Sequence, residues 1–216
     1  MSAARTARKP AETRTDETSL RERILNAAFS AFMEHGYAGT STLEIATRAK
    51  VSKRDVYAEF GSKQEMLAVC IASRAQRMRR PLDMPPVETR RQLVAALETY
   101  GETMLREWSD ASVLAVYRLA IAEADRSPGV ARALDAVREA TSTALAALLQ
   151  GAQAKGLIGP GDPREIGMRF GAILWRGDLR VRLLLRLADP PSPQDARDRA
   201  RSATDAVLAL YPAKSV

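Results

Sequence analysis

Four times between Ser19 and Glu65 a serine is followed three residues later by an acidic side chain: Ser19-Leu-Arg-Glu22, Ser41-Thr-Leu-Glu44, Ser52-Lys-Arg-Asp55 and Ser62-Lys-Gln-Glu65. In such a box the hydroxyl accepts from an exposed amide one turn on, and the carboxylate accepts from the serine's own amide, so each box marks a helix start. Asp55 is shorter than the usual Glu or Gln, which makes the third box the weakest. The spacing predicts helices near 19–35, 42–49, 53–60 and 63–80. The second and third are too short to hold alone and need packing. Only Lys50-Val51-Ser52 joins them. Those are the proportions of a helix-turn-helix, whose second helix enters the major groove of DNA.

Apolar residues recur at helical spacing along the whole chain, and no segment alternates as a half-buried strand does. Ile24, Ala27, Ala28, Ala31 and Phe32 mark the first helix, closed by His35-Gly36. Val56 and Phe60, four apart, anchor the third inward. Pro81 and Pro85-Pro86 mark a boundary. Beyond it run stripes from Leu93 to Trp108, from Ala111 to Ala124 (ended by Ser127-Pro128-Gly129), from Val130 to Leu148 and from Ile166 to about Leu187, then a last helix over about 194–211. The expected fold is all-α, with about nine helices: a three-helix helix-turn-helix domain over residues 19–65 and a helical ligand-binding and dimerisation bundle over 66–216. Residues 1–18 are polar and read as a disordered basic tail.

Charge is placed unevenly. Residues 1–80 hold 15 Lys/Arg against 9 Asp/Glu, whereas residues 81–216 hold 18 against 17. A basic N-terminal third suits a polyanion, because neutralised phosphates release counterions. No apolar run is long enough to span a membrane and no secretory signal is visible, so a cytoplasmic protein without membrane contact is expected. The single cysteine, Cys70, excludes an intrachain disulfide and reads as a buried small hydrophobe, with a redox-sensing thiol as the alternative. One histidine, no Gly-rich phosphate loop and no Cys/His metal spacing leave nothing to build a catalytic or metal site from. Neither a catalytic residue nor a cofactor is expected.

The segments Gly36-Tyr37-Ala38-Gly39-Thr40-Ser41-Thr42, Ile45-Ala46, Ala49-Lys50-Val51-Ser52, Val56-Tyr57, Phe60 and Ser62-Lys63 resemble the DNA-binding domain of the TetR family of regulators, without a gap from about Ile24 to Leu67. Lys50 departs from the glycine usual in the turn, and Arg54-Asp55 from the commoner Gly-Thr. Arg118–Ala124, Ala152–Leu157 and Gly177–Arg180 resemble the C-terminal domain of the AefR-like subgroup, which is associated with control of efflux and related genes. The resemblance implies a DNA-binding transcriptional regulator, a repressor released by a ligand, that grips a palindromic double-stranded operator as a homodimer. It also implies that Tyr57 and Lys63 bind phosphate.

The DNA-binding candidates are Thr40, Ser41, Thr42, Ser52, Lys53, Arg54, Asp55, Tyr57 and Lys63. Thr40, Ser41 and Thr42 start the second helix, where amides and helix dipole favour phosphate. Lys53 suits a phosphate better than a base. Arg54 suits guanine O6 and N7 or a phosphate equally, and Asp55 suits a cap better than cytosine N4. Arg5, Arg8, Lys9 and Arg14 can reach a minor groove or stay unbound.

In the bundle, Tyr100, Met104, Trp108, Tyr117, Met168 and Trp175 are the large side chains expected around a pocket for a largely apolar small-molecule effector, or else packed as core. Arg118 and Glu123 are candidate polar anchors. For the dimer, Gly167 and Gly171 allow close helix approach. Arg182, Asp198 and Val207 are expected at the same interface, with Arg176, Arg180, Arg182 and Arg186 facing Asp195, Asp198 and Asp205. The competing reading is an all-helical interaction protein using its basic end on RNA or an anionic membrane surface.

Overall fold

The computed structural model describes residues 13–126 and 128–213, and the side chains of these except at 13–19 and 74–79. The described residues form ten α-helices and no strand. They are α1 (Thr13–Gly39), α2 (Thr42–Ala49), α3 (Lys53–Phe60), α4 (Lys63–Arg79), α5 (Arg90–Ser109), α6 (Ala111–Glu123), α7 (Pro128–Ala154), α8 (Pro163–Trp175), α9 (Leu179–Leu184) and α10 (Pro193–Leu210). A 3-10 turn at Arg80–Leu82 follows α4. The chain forms two compact units, Met1–Leu67 and Ala68–Val216.

In the first unit α1 is already helical at Thr13, six residues before the box at Ser19. The Ser19 side chain, Ser127 and the basic side chains Arg5, Arg8, Lys9 and Arg14 lie outside the described residues. Gly36 interrupts α1 at φ 70°, ψ 175°, backbone that a Cβ would disfavour. There the chain leaves the helix and turns towards α2. Ile24, Ala28 and Phe32 of α1, Ile45 and Ala49 of α2, and Val56 and Phe60 of α3 are buried. Burying each large one contributes about 1.5–3 kcal/mol, which is what holds two eight-residue helices in place. Polar ties add orientation. The Arg48 guanidinium donates to both carboxylate oxygens of Glu34, at 2.9 and 2.6 Å, and lies 2.8 Å from Glu44. It joins α1 to α2 and holds the Glu34 carboxyl below its ordinary pKa. Arg21 joins α1 to α3. It donates to the Glu59 carbonyl at 2.9 Å and lies over the Phe60 ring at 4.4 Å.

In the second unit α10 packs against α5 and α8, α8 against α7, and α6 against α5, α7 and α9. Leu97, Leu105, Leu149, Ile166, Phe170 and Leu174 are fully buried in the shared core. Gly101 lets three helices meet: a Cβ there would lie 3.0 Å from Ala200 Cβ and 3.2 Å from both Leu174 and Phe170. Arg90, at the start of α5, donates to the Leu157 carbonyl and, at 3.3 Å, to the Leu208 carbonyl.

The expected helix over 163–187 is two helices, which is why the count is ten rather than nine. Arg176 takes a left-handed conformation (φ 45°, ψ 49°) and ends α8 through its own amide, and α9 starts three residues later. A stripe of apolar residues does not report such a break when the stripe resumes on the far side.

Candidate nucleic-acid interface and cavity

The turn between α2 and α3 is built by two caps. Lys50 ends α2 in left-handed backbone (φ 56°, ψ 48°), its amide reaching the Ala46 and Thr47 carbonyls. Ser52 starts α3 with a complete reciprocal box. Its hydroxyl accepts from the Asp55 amide at 3.1 Å, and the Asp55 carboxylate accepts from the Ser52 amide at 2.9 Å. The box that looked weakest is therefore fully formed. Asp is long enough here because the Ser52 hydroxyl also donates to the same carboxylate oxygen, at 2.7 Å. These bonds hold the Asp55 carboxyl below its ordinary pKa.

With Val56 and Phe60 turned inward, α3 presents Ser52, Lys53, Arg54 and Tyr57 outward. Tyr57 is 45% exposed, and its hydroxyl lies 3.3 Å from that of Thr42. Lys53 Nζ sits 5.7 Å from the Tyr57 ring. Thr42, Lys53 and Tyr57 thus form one exposed cluster across the two helices. Ser41 is exposed and caps α2 by accepting from the Glu44 amide at 3.1 Å. Arg54 is exposed and makes no hydrogen bond among the described residues.

Two candidates sit differently. Thr40 is 2% exposed, and its hydroxyl reaches the carbonyls of Ala31 at 2.9 Å and Gly36 at 2.7 Å. It bolts the end of α1 to the start of α2, so its side chain does not face outward as expected. Lys63 is half-buried. Its ammonium donates to the carbonyls of Tyr37 and Thr40 and leaves one N–H for anything else.

The second unit carries a solvent-open cavity of about 810 Å³, and Tyr100, Met104, Trp108, Tyr117, Met168 and Trp175 all line it. Trp108 stacks on Tyr117 at 4.1 Å between centroids and meets Trp175 edge-on at 5.6 Å. Met168 at the wall is 64% exposed. Burial pushes the Tyr100 hydroxyl up to about 12 and the Tyr117 hydroxyl up.

Neither polar anchor read from the sequence lines this cavity. Arg118 is spent on the Leu183 and Leu184 carbonyls, at 2.7 Å each, and Glu123 is buried elsewhere. Two arginines line the cavity: Arg138, paired with Asp135, and Arg180, which the sequence grouped with arginines facing acidic residues. The Arg180 guanidinium carbon lies 4.6 Å from the centroids of both Trp108 and Trp175. The break at Arg176 puts it there, and helical spacing carried no signal for it.

Comparison with known proteins is consistent in both units. Residues 24–70 match the family model described as bacterial regulatory proteins, tetR family. Residues 95–213, more than half the chain, match the AefR-like transcriptional repressor C-terminal domain. The chain belongs to the TetR family of transcriptional regulators. It is 31% identical over 135 residues to the HTH-type transcriptional repressor Rv3405c of Mycobacterium tuberculosis, covering 62% of this chain and 67% of that one. Its fold is similar to that of a TetR-family regulator from Mesorhizobium loti (TM-score 0.75, 27% identity, covering 93% of this chain and 99% of that one). It is equally similar to the flavonoid-responsive regulator FrrA (TM-score 0.75, 27% identity, covering 92% and 100%).

In this TetR regulator the residues expected at a dimer interface separate into two sets. Val207 is 0% exposed, and a Cβ on Gly167 would meet Leu145 at 3.1 Å. Val207 faces its own chain's core, which corrects that expectation, whereas Gly167 is half-buried on the cavity wall against Leu145. Gly171 lines the cavity with open space around it. Arg182 and Asp198 are exposed. They bond only locally, Arg182 to the Leu187 carbonyl and Asp198 from Gln194. No described helix is long and apolar enough to cross a membrane. No group of three or more acidic, His or Cys residues among the described ones could hold a metal ion.

Proposed function

We propose that this TetR-family regulator is a repressor that binds a palindromic operator as a homodimer and lets go when a small molecule fills the cavity of its second unit. The observation that carries the reading is the pairing of an exposed Thr42–Lys53–Tyr57 cluster on the helix-turn-helix with an aromatic-lined cavity in the other unit. The cluster offers two hydroxyls and an ammonium to a sugar-phosphate backbone, and Arg54 beside it offers a fork for a guanine edge. The name of FrrA, a protein of similar fold, supports a small aromatic effector. Arg182 lies among the exposed apolar residues Val181, Leu185 and Leu187, which supports this segment as the surface a second copy covers.

An effector releases DNA only if it favours a state in which the two recognition helices no longer fit successive major grooves. α4 is the continuous element from the first unit into the second and is the proposed lever.

The test is selection of bound sequences from random duplex DNA by the full chain. The expected product is an inverted repeat with half-site centres about 34–36 Å apart or a near multiple. Enrichment of an asymmetric single site, or sedimentation of the complex as a lone copy bound to one half-site, overturns the reading.

A further inference from the structure

We propose that the cavity takes a planar aromatic compound bearing a carboxylate, with the carboxylate paired to Arg180 and the ring lodged among Trp108, Tyr117 and Trp175. This rests on the reading of the cavity as an effector site and names its ligand class. Arg180 is a cation with nothing to balance it. Its Nε is buried without a hydrogen-bond partner. Its charged neighbourhood is two tyrosine hydroxyls, Tyr100 and Tyr117, both kept neutral by burial. The one carboxylate on the cavity wall, Asp135, is already 2.9 Å from Arg138 Nε on its own helix. Burial also makes the charged form of Arg180 harder to hold.

A desolvated, unpaired guanidinium is costly, and bringing an anion to it recovers that cost. Both indole rings lie beside it, their centroids 4.6 Å from its guanidinium carbon, and its hydrogen-bonding capacity lies at the edge of the guanidinium plane. That edge presents parallel N–H donors matched to the two oxygens of a carboxylate. The walls beside it are aromatic and thioether side chains, Trp108, Trp175, Met104 and Met168, which suit a flat apolar ring. The volume lies within the range of about 300–1,000 Å³ usual for small-molecule sites.

The experiment uses the full-length chain and two probes of nearly equal shape, 2-naphthoate and 2-naphthamide, titrated by calorimetry and by tryptophan fluorescence. The chain holds two tryptophans, and both contact Arg180, so the fluorescence reports this site. Naphthoate should bind at least tenfold more tightly than naphthamide and quench both tryptophans. Arg180→Met should bring the two affinities together by weakening naphthoate alone, and Arg180→Lys should restore part of the preference. Equal affinities for both probes on the unaltered protein overturn the anion assignment while leaving an effector cavity. Binding of neither probe at millimolar concentration overturns the ligand class, whereas the effector reading itself falls only if a ligand that fills the cavity leaves operator binding unchanged. A naphthoate preference that survives Arg180→Met places the anion elsewhere and overturns the proposal. The comparison on unaltered protein stands even if a variant fails to fold.

Discussion

The Lys63 ammonium donates to the Tyr37 carbonyl at 2.6 Å while lying 4.3 Å above the centroid of the same residue's ring. One residue thus supplies both a carbonyl and a π-face to the same cation. A second carbonyl, that of Thr40, completes the cradle. Lys63→Ala should therefore destabilise the first unit by about 1–2 kcal/mol, as loss of charge-assisted bonds in a half-buried setting does. Through the remaining N–H it should also flatten the slope of log affinity against log salt by about one unit. Thermal melts and a salt titration separate the roles. A lower melting temperature with an unchanged slope removes the phosphate contact, and a flatter slope with an unchanged melting temperature removes the cradle.

Arg54 and Asp55 are adjacent but should behave differently. Arg54→Ala is expected to cost about 1–3 kcal/mol of operator affinity and to relax preference at one base position per half-site. Equal weakening on every DNA sequence would make Arg54 a phosphate contact.

Asp55→Ala should act on folding, through the lost box, and leave base preference unchanged. The pH sign follows from the depressed carboxyl. Its folded pKa lies below the ordinary value of 3.8, so the stabilisation is complete above that value and is lost as pH falls through the folded pKa. Acid titration of stability should thus show a smaller fall below about pH 4 in Asp55→Asn than in the unaltered chain. Parallel acid limbs would exclude the box as a contributor.

Lys50 holds left-handed backbone that glycine adopts without penalty. Lys50→Gly should stabilise the first unit by up to about 1 kcal/mol, less the entropy glycine adds to the unfolded chain. A denaturant midpoint lower than that of the unaltered protein would mean that the lysine side chain makes up for its backbone.

Gly171 faces open space on the cavity wall. Gly171→Leu should fold, remain able to dimerise and bind operator, but lose most response to an effector because the added side chain occupies its place. Monomers in sedimentation would return this glycine to the interface; an unaltered effector response would remove it from the ligand's path.

What the sequence disclosed, and what it concealed, follows from the range of the forces concerned. The bounds of α2 and α3 were legible to the residue, because the caps that set them act within one turn. The six cavity-lining side chains were legible as a set, because Tyr100, Met104 and Trp108 are spaced four apart and large apolar groups gather. Val207 was misjudged because a buried stripe looks the same whether the partner helix belongs to its own chain or to a second copy. Thr40 was misjudged because a hydroxyl beside a helix start can point either way, and tertiary packing decided. Arg180 was missed because its place depends on two residues of irregular backbone, Arg176 and Gly177, which no periodicity encodes.

The bond from Arg90 to the Leu208 carbonyl joins groups 118 residues apart, and α10 supplies much of the surface on which α5 and α8 rest. During synthesis the first unit has its whole apolar core once Leu67 has left the ribosome. The second unit must wait, with Leu97 and Leu105 exposed, until α10 has been made. Nascent chains stalled or truncated before Pro193 should therefore display a finished DNA-reading head on an aggregation-prone remainder, and the interval before α10 emerges is when this protein most needs a chaperone.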